Sequence, residues 1–252
     1  MVNMIIHGCG GAMGQVLSEL AAEDGEIQVA AGIDPRGGIK RDYPVYESFQ
    51  ACGAAADVVV DFSTAAAVDG LLEYCKEKRL PLVLCTTGLS QCQLEKVQEL
   101  SETVPVLRSA NMSLGVNLLL KLVKEGAKVL GMSGFDMEIV EKHHRRKLDA
   151  PSGTAVALAE SINEAMGGAC HFVYDRSQVR RPRDEKEIGI SSVRGGTIVG
   201  EHDVIFAGMD EVVTLSHQAF SRGIFAKGAL AAAKFLAGRK PGMYDMSDVI
   251  GL

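Results

Sequence analysis

A cluster of basic residues near the middle of the chain has the residue types and the spacing to bind a small anion. Five consecutive cationic or protonatable residues occupy positions 143–147, and a proline turn then leads to Ser152-Gly153-Thr154 at the predicted start of a helix. Backbone N–H groups at a helix N-terminus attract carboxylates, and the Thr154 hydroxyl adds another donor. Lys147 and His144 would neutralise a second carboxylate, so the segment is predicted to bind a small dianion.

His143 has the chemistry of an acid in this segment. If the preceding strand continues to residue 144, the side chains of His143 and His144 lie on opposite faces, so that one faces the reacting carbon. Neighbouring cations lower the pKa of a histidine, and an anionic ligand restores its proton. A solvated basic turn and a nucleic-acid-binding patch are the alternatives, and the adjoining Pro-Ser-Gly-Thr turn favours a small-molecule site.

A second chemical pattern lies near the N-terminus, where a glycine turn follows an apolar run. Gly8, Gly11 and Gly14 form G-x-x-G-x-x-G, and Gly8-Cys9-Gly10 supplies the first half of the stricter G-x-G-x-x-G pattern. Such a turn lets the backbone approach a pyrophosphate at the N-terminus of the next helix. Asp34 ends the second predicted strand, where a carboxylate would bind an adenosine ribose diol. A purely structural glycine turn and an Asp-Pro turn are the alternatives.

The residues around Asp34 also bear on the choice of cofactor. The carboxylate disfavours the 2′-phosphate of NADPH, whereas Arg36 and Lys40 are close enough in sequence to pair with it. We therefore expect a preference for NADH, with use of NADPH left open.

Two later segments each follow a predicted strand, at 85–88 (Cys-Thr-Thr-Gly) and 109–113 (Ser-Ala-Asn-Met-Ser). Ligands of open α/β sheets bind beyond the carboxyl ends of the strands. Small and hydroxylated residues there are predicted to contact the nicotinamide and its ribose, with ordinary loop residues as the alternative.

The elements that must position these residues divide the chain into two parts. Residues 2–109 alternate apolar runs with amphipathic stretches, which is typical of a parallel sheet covered by helices. After residue 111 a long helix, a strand and a second helix are followed by strands with period-two alternation. We predict a Rossmann-type doubly wound α/β domain over 1–112 with 222–252, and a smaller α+β domain with a mixed sheet over 113–221.

The predicted strands are 4–6, 27–33, 58–60, 82–84, 104–107, 137–140, 188–191, 204–206 and 212–215. The predicted helices are one that ends at Ala22 and those at 64–78, 90–102, 114–130, 154–166 and 225–236. The charged segment 176–187 is predicted to be a mobile loop.

Composition excludes several classes of protein. The 252 residues are 47% hydrophobic and 23% charged, so the chain can form a sizeable core. The net charge of −6 repels a phosphate backbone, and acidic residues dilute the second basic patch at Arg176–Arg183, so no nucleic-acid partner is expected. No apolar run reaches the ~18 residues of a membrane span.

The remaining patterns concern location and metals. No secretory signal is recognised before the first strand, and the six cysteines are scattered, so we expect reduced thiols and a cytoplasmic location. Neither a metal-ligand spacing nor a serine nucleophile elbow is found, so no metal is expected.

Seven segments, in order along nearly the whole chain, resemble the 4-hydroxy-tetrahydrodipicolinate reductase family, also called dihydrodipicolinate reductases. They are G-C-G-G-A-M-G at 8–14, D-F-S at 61–63, T-T-G at 86–88, S-A-N-M-S-L-G-V-N at 109–117, E-K-H-H-R-R-K-L-D-A-P-S-G-T-A at 141–155, R-G-G-T-I-V-G-E-H at 194–202 and S-R-G-I-F-A-K-G-A at 221–229. The fifth segment is highly specific, whereas the glycine loop is not.

This resemblance implies an NADH- or NADPH-dependent oxidoreductase of diaminopimelate and lysine biosynthesis that reduces a cyclic dicarboxylate imine to tetrahydrodipicolinate. It also implies a second domain with a four-stranded sheet that binds substrate and assembles a homotetramer. By the same resemblance His143 is the proton donor and Lys147 its catalytic partner. The implied substrate contacts are His144, Ser152, Gly153 and Thr154. The implied cofactor contacts are Gly8, Cys9, Gly10, Gly11, Ala12, Met13, Asp34, Cys85, Thr86, Thr87, Ala110, Asn111, Met112 and Ser113.

Two residues depart from the pattern of this family. Many relatives have an arginine where Ala12 stands and another where Pro35 stands. Both changes remove cations that could hold a 2′-phosphate, which weakens the expectation of NADPH preference.

The expected reaction adds hydride to a conjugated ring carbon of the imine, and the electrons move toward the ring nitrogen. His143 then protonates the enamine carbon, while Lys147 binds a carboxylate and polarises the ring. The dianion site is therefore expected to face a bound nicotinamide. A two-domain dehydrogenase of the homoserine or aldehyde type and a nucleotide sensor without turnover are the rival hypotheses.

Overall fold

The computed structural model describes residues 1–109, 111–174, 176–177 and 180–251. These form two compact units. The first unit comprises Met1–Ser113 with Arg222–Gly251, and the second is Leu114–Ser221. No helix among the described residues is long and apolar enough to cross a membrane.

The strands within this part of the chain are β1 Val2–His7, β2 Ile27–Ile33, β3 Val45–Tyr46, β4 Val58–Asp61, β5 Leu82–Leu84, β6 Pro105–Arg108, β7 Asp136–His143, β8 His171–Val173, β9 Glu187–Arg194, β10 Gly200–Ala207, β11 Val212–Ala219 and β12 Gly242–Tyr244. The helices are α1 Ala12–Ala22, α2 Val68–Lys78, α3 Gln91–Ser101, α4 Leu114–Val129, α5 Gly153–Ala165, α6 Gly223–Leu236 and α7 Met246–Ile250. Single 3₁₀ turns occur at Phe49–Ala51, Ala65–Ala67 and Gly131–Ser133.

The first unit contains a parallel sheet in the order β12-β6-β5-β4-β1-β2-β3. Met4 and Ile6 belong to the core that includes α1 and α6, whereas the intervening Ile5 belongs to the core that includes α2 and α3. Because helices cover both faces, the strands are continuous apolar runs with polar residues at or near their ends, rather than alternating with polar residues. The predicted Rossmann-type doubly wound sheet is confirmed.

Helix α6 packs within the first unit against α1 and the sheet. A Cβ atom at Gly228 would lie 1.6 Å from the carbonyl oxygen of Met112. Glycine therefore lets the helix approach the segment that follows β6 closely.

The second unit contains a mixed sheet in the order β11-β10-β7-β9-β8. Strands β10 and β11 are antiparallel to their neighbours, and the pairs β7–β9 and β8–β9 are parallel. Helices α4 and α5 share one core with a single face of this sheet, which includes Met137, Ile139, Val204 and Phe206. The expected mixed sheet is confirmed, but it has five strands within the described residues rather than the four expected.

The strands that sequence patterns missed are short strands at sheet edges. They are β3, β8 and β12, which span two or three residues each. A segment of that length cannot show a period of two, so its hydrogen bonding is decided by the neighbouring strand.

The helix predicted over 90–102 is confirmed as α3, with Ser90 as its N-cap. The Ser90 hydroxyl accepts the Gln93 N–H at 3.2 Å, and the Gln93 side chain accepts the Ser90 N–H at 3.1 Å. This reciprocal capping box explains why α3 begins at Gln91.

Two arginines of the charged segment 176–187, which was predicted to be a mobile loop, form ion pairs. Residues 178 and 179 of this segment lie outside the described part of the chain. Arg176 pairs with Glu187. Arg183 pairs with Glu138 at 2.8 Å. These contacts tie two of the four arginines of the second basic patch to the second sheet.

Candidate active site

The predicted cofactor contacts lie at the carboxyl ends of parallel strands in the first unit. The glycine loop follows β1 and Asp34 follows β2, while residues 85–87 follow β5 and residues 111–113 follow β6. The carboxyl ends of parallel strands meet at one edge of a sheet, which brings these segments to the same edge. Ala110 lies outside the described residues.

The glycine loop is held by close backbone contacts. Gly8 has φ +81°, and a Cβ there would lie 2.6 Å from the Phe62 carbonyl oxygen. A Cβ at Gly14 would lie 2.3 Å from the Gly8 carbonyl oxygen. Both positions require glycine, because a side chain at Gly8 would collide with the turn after β4 and one at Gly14 would push α1 away from the end of β1.

The N-terminus of α1 is suited to a phosphate. Its N-cap is Gly11, and no side chain of the described residues caps it or places an acid in the first turn. The backbone N–H groups and the positive end of the helix dipole are thus available to an anion. A Cβ at Gly10 would lie 2.3 Å from Ile39 Cδ1, 2.8 Å from Arg36 Nη2 and 3.0 Å from Asp34 Oδ2, so the absence of a side chain lets the loop backbone approach Asp34 closely. These residues fit a dinucleotide.

Asp34 is buried and accepts four hydrogen bonds. Arg36 donates from Nε to Oδ1 at 2.9 Å, from Nη2 to Oδ2 at 2.8 Å and from its backbone N–H to Oδ1 at 3.1 Å. The Gly10 N–H donates to Oδ2 at 3.0 Å. Hydrogen bonds from Arg36 lower the pKa of Asp34 to about 2 although burial opposes this. The carboxylate predicted to bind ribose is therefore ionised and paired with Arg36.

A buried His7–Asp61 pair supports the glycine loop, and the sequence reasoning missed it. His7 and Asp61 are register partners at the ends of β1 and β4, with His7 Nδ1 2.8 Å from Asp61 Oδ1. Asp61 Oδ1 also accepts the Ser63 N–H at 3.1 Å. The pair thus holds the turn on which Gly8 packs.

In the second unit, β7 delivers His143 to the face covered by helices. Alternate residues of β7 are buried, and Glu141 and His143 are the last two of them. The strand ends at His143, and His144 lies in the following turn. The expectation that the two histidines lie on opposite faces required the strand to continue to residue 144, so its condition is not met. His144 Nδ1 is buried and has no hydrogen-bond partner within the described part of the chain.

The imidazole of His143 has defined neighbours. Its Nδ1 lies 2.6 Å from Glu141 Oε2, and the ring of His202 lies edge-on at 5.2 Å between centroids. A Cβ at Gly200 would lie 3.0 Å from His143 Nε2, so glycine keeps that atom accessible. Burial lowers the pKa of His143, the Glu141 carboxylate opposes this, and the charges of Lys147 and Arg194 add to the lowering.

Glu141 is fully buried and holds three parts of the unit together. Arg194 donates from Nη1 to Oε2 at 2.8 Å and from Nη2 to Oε1 at 2.6 Å. The Ser152 N–H donates to Oε1 at 3.2 Å. Burial alone would raise the pKa of Glu141, but hydrogen bonds from Arg194, Ser192 and His143 bring it to about 2. Glu141 is therefore a carboxylate.

The N-terminus of α5 is organised by Ser152. Its hydroxyl accepts the Ala155 N–H at 3.1 Å and lies 2.9 Å from His202 Nε2. A Cβ at Gly153 would meet no atom of the described residues within 4 Å, so the first turn is open on that side. Burial and the charges of neighbouring histidines lower the pKa of His202 to about 4, so it is a neutral partner for the Ser152 hydroxyl.

Lys147 lies in the turn between β7 and α5. Its N–H donates to the His144 carbonyl oxygen at 3.1 Å, which places both side chains on one turn. Lys147 Nζ pairs with Asp149 Oδ2 at 2.9 Å. Asp149 is mostly exposed, so water can solvate its carboxylate when an incoming anion takes its place beside Lys147.

The sequence reasoning assigned no role to Glu141, Arg194, Gly200 or His202, although all four stand in the family segments. Glu141 had a detectable signal, since it precedes His143 by two residues on a strand and must share its face. The other three reach the site only through the pairing of β7 with β9 and β10. Among the described residues, no group of three or more His, Cys, Asp or Glu is arranged to hold a metal.

Comparison with known proteins places both units in one family. The family model described as "Dihydrodipicolinate reductase, N-terminus" matches residues 2–112, and "Dihydrodipicolinate reductase, C-terminus" matches residues 115–250. A 4-hydroxy-tetrahydrodipicolinate reductase of Caldanaerobacter subterraneus subsp. tengcongensis is 52% identical, over 99% of this chain and 98% of its own length. That of Clostridium botulinum is 46% identical, over 100% and 99%.

A solved structure supports the same fold. The dipicolinate-bound dihydrodipicolinate reductase of Paenisporosarcina sp. TG-14 aligns over 98% of this chain and 99% of its own, with a TM-score of 0.83 and 24% identity. The chain belongs to the dihydrodipicolinate reductase family, the NAD(P)H-dependent oxidoreductases that act as 4-hydroxy-tetrahydrodipicolinate reductases in diaminopimelate and lysine biosynthesis.

Proposed function

We propose that this chain reduces its cyclic dicarboxylate imine with His143 as the proton donor and with Lys147 and the N-terminus of α5 as the groups that bind the carboxylates. The observation that supports this most strongly is the arrangement around one buried carboxylate. Glu141 accepts hydrogen bonds from both His143 and the backbone of Ser152, so the acid and the anion-binding helix start are held in one network.

The first unit is proposed to bind the dinucleotide. The uncapped N-terminus of α1 and the glycine loop before it would hold the pyrophosphate, Asp34 the adenosine ribose, and residues 85–87 and 111–113 the nicotinamide end. When bound, the reduced nicotinamide supplies the hydride that adds to a conjugated ring carbon of the substrate. Ala110 belongs to the same proposed set by its position in the sequence.

His143 is proposed to move the proton through Nε2. Its Nδ1 is bonded to Glu141, whereas Nε2 lies beside Gly200. Hydride addition moves electrons to the ring nitrogen and leaves an enamine, and protonation of its carbon completes the reduction. A dianion nearby raises the pKa of the imidazole, so substrate binding itself loads the acid with a proton.

The substrate carboxylates are proposed to bind to cations and to backbone N–H groups. Gly153 and Thr154 stand in the first turn of α5, at the positive end of the helix dipole, which attracts a carboxylate. Lys147 and His144 share the preceding turn, and Ser152 holds the helix start in place. Two carboxylates on one ring match these two groups of donors.

An assay that follows loss of reduced-cofactor absorbance with the imine tests these roles. His143→Ala is expected to lower kcat ~10²- to 10⁴-fold, because a positioned acid contributes that much. Lys147→Ala is expected to raise KM as well as lower kcat. His171→Ala, on the exposed edge strand β8, is the matched control and is expected to behave like the parent. Parent-like turnover of both site variants would rule out the assignment, and cofactor binding without consumption would favour the sensor hypothesis.

The homotetramer and the cytoplasmic location are also proposals. One face of the second sheet has no helix packed on it within the described residues, and it exposes Val193 and Val212. Apolar side chains on a free sheet face suit association of copies. The six cysteines, all within the described part, are free thiols, which is typical of a reducing compartment.

Sedimentation velocity tests the assembly. The expected species has four times the chain mass of 26.8 kDa. A single-chain species at every protein concentration would contradict the tetramer. Cell fractionation tests the location, with recovery in the cytoplasmic fraction as the expected result.

A further inference from the structure

Glu141 lies at a position where its two oxygens serve two different functional groups. Oε2 bonds His143 Nδ1 and one nitrogen of Arg194, and Oε1 bonds the other nitrogen of Arg194 and the Ser152 N–H. These four N–H donors and the hydrogen bond from the Ser192 side chain therefore meet one side chain that is fully buried. A carboxylate has about four lone-pair directions to offer, so this set of partners can fill them.

The charge state of Glu141 determines which nitrogen of His143 carries hydrogen. An ionised carboxylate only accepts hydrogen bonds, so His143 Nδ1 must donate and therefore be protonated. Nε2 is left as the atom that gains and loses a proton. Arg194 keeps Glu141 ionised, because its two nitrogens donate to both oxygens at 2.6–2.8 Å.

Glu141 also connects the acid to the start of α5. The Ser152 N–H donates to Oε1, and the Ser152 hydroxyl accepts the Ala155 N–H. The anion-binding turn and His143 are thus bonded to opposite ends of one rigid, buried group. A purely structural ion pair between β7 and β9 would need Arg194, but it would need neither the contact of Glu141 with His143 nor its contact with the Ser152 N–H.

We infer that Glu141 is a positioning residue for the reaction: it fixes His143 in the tautomer with hydrogen on Nδ1, stabilises the imidazolium, and holds the start of α5 at a set distance from that ring. This inference rests on the proposed role of His143 as proton donor. Arg194 supports it by keeping the carboxylate charged and oriented.

The substitution Glu141→Gln separates these contributions. The amide oxygen is expected to keep the Oε1 position, where it accepts from Ser152 and Arg194. The amide NH₂ then occupies the Oε2 position and donates to His143 Nδ1, which forces hydrogen onto Nε2 and opposes the imidazolium. We expect kcat to fall ~100-fold or more while KM changes less than about 3-fold. Glu201→Gln, which removes a carboxylate from the other sheet face where Asp203 still pairs with Lys142, is the control and should behave like the parent.

The pH profile gives a readout that a structural role would not move. The charged and titratable groups around His143 are Glu141 on β7, Lys147 in the turn, Arg194 on β9 and His202 on β10. An acid must be protonated to act, so kcat falls as pH rises through the pKa of His143 in the complex. Loss of the Glu141 charge is expected to shift this descending limb to lower pH by about 1 unit or more, whereas Glu201→Gln leaves it in place.

A double-variant comparison shows whether Glu141 acts through His143. In a His143→Ala background, Glu141→Gln is expected to add less than about 3-fold to the loss of kcat, because the group it positions is absent. Independent, multiplicative losses would overturn the inference. If His143→Ala behaves like the parent, the proposed role of His143 is wrong. If His143→Ala loses activity while Glu141→Gln keeps it, only the inference about Glu141 is wrong.

Nitrogen NMR of the unsubstituted protein decides the point even if Glu141→Gln does not fold. With ¹⁵N-labelled histidine, the His143 signals are assigned by their disappearance in His143→Ala. A protonated Nδ1 at a pH where the ring is neutral is the expected result. A neutral ring with hydrogen on Nε2 would overturn the inference.

Discussion

Single residues around His143 show how closely packed the proposed acid is. Gly200 lies on β10, and its missing side chain is what leaves His143 Nε2 accessible. The same residue would attract no notice in the sequence, where it stands between a valine and a glutamate. At the scale of single residues, the site depends on the small size of glycine at position 200 as much as on its charged side chains.

Gly200→Ala is therefore expected to reduce turnover without unfolding the protein. The new Cβ would lie 3.0 Å from His143 Nε2, so the ring must shift by a few tenths of an ångström, and kcat should fall roughly 10-fold because misplaced catalytic groups lose rate steeply. Gly195→Ala, whose Cβ meets no described atom within 4 Å, is the control. Steady-state kinetics and thermal melting measure both variants, and unchanged kcat in Gly200→Ala would show that Nε2 is not the working atom.

Arg36 is the residue that should set the balance between cofactors. Its side chain is largely exposed and pairs with the buried Asp34, so it can turn toward a 2′-phosphate while Asp34 accepts from a ribose diol. Arg36→Gln is expected to weaken NADPH binding roughly 10-fold, since Asp34 then repels the phosphate, and to change NADH binding less than about 3-fold. Fluorescence titration of both cofactors measures the two dissociation constants. Equal weakening of both would contradict this role.

Helix starts are the elements that place the anion-binding groups. The loop before α1 is closed by glycines and leaves its N–H groups to an anion, whereas α5 is capped by Ser152. The N-terminus of α1 thus offers uncapped backbone N–H groups to an anion. The N-terminus of α5 is instead fixed by its serine cap and lies next to a turn that contains cations.

Ser152→Ala is expected to affect both stability and substrate binding. Loss of an N-cap costs about 1 kcal/mol. It also frees the start of α5, so KM should rise. Ser90→Ala removes the cap of α3 in the first unit and is expected to cost a similar free energy of unfolding with KM unchanged. Urea unfolding and steady-state kinetics separate the two effects, and an unchanged KM in Ser152→Ala would remove α5 from the proposed substrate site.

Element prediction worked where a segment was long enough to show a period. Helix α4 was predicted at 114–130 and lies at Leu114–Val129, and the strand predicted at 137–140 extends over Asp136–His143. Strand β8, three residues long, was not predicted, and this is why the second sheet has five strands instead of four. Such edge strands form because a neighbour offers unpaired N–H and C=O groups, not because of their own residues.

At the scale of the whole molecule, buried titratable groups make stability depend on pH. The pKa of His202 is lowered to about 4 by burial from its ordinary value near 6.5. Between these values the unfolded chain binds more protons than the folded one, so the free energy of unfolding rises with pH. Glu141 and Asp34, each with a pKa of about 2, act in the same direction below about pH 4.5.

The protein is therefore expected to lose stability on acidification from pH 7 to pH 4. The share of His202 is on the order of 3 kcal/mol, from its pKa difference. Urea unfolding at several pH values measures the slope, and His202→Gln should flatten it between about pH 4 and 6.5. An equally steep slope in that variant would show that other groups carry the effect.

The sequence by itself determined the local features of this protein. The glycine turn after β1, the acid at the end of β2, the capped start of α3 and the basic turn before α5 all depend on residues within a few positions of one another. Local steric and hydrogen-bonding preferences decide such features, so they can be predicted from spacing alone.

Only the tertiary structure decided which partners meet at the proposed acid. Arg194 lies 53 residues from Glu141, and it arrives because β9 pairs in parallel with β7 and sets Arg194 opposite His143. The antiparallel register of β10 sets His202 opposite Glu141. A shift of either register by one residue would turn these side chains to the other face of the sheet. The sequence does not state that register, because it follows from the packing of the whole sheet against α4 and α5.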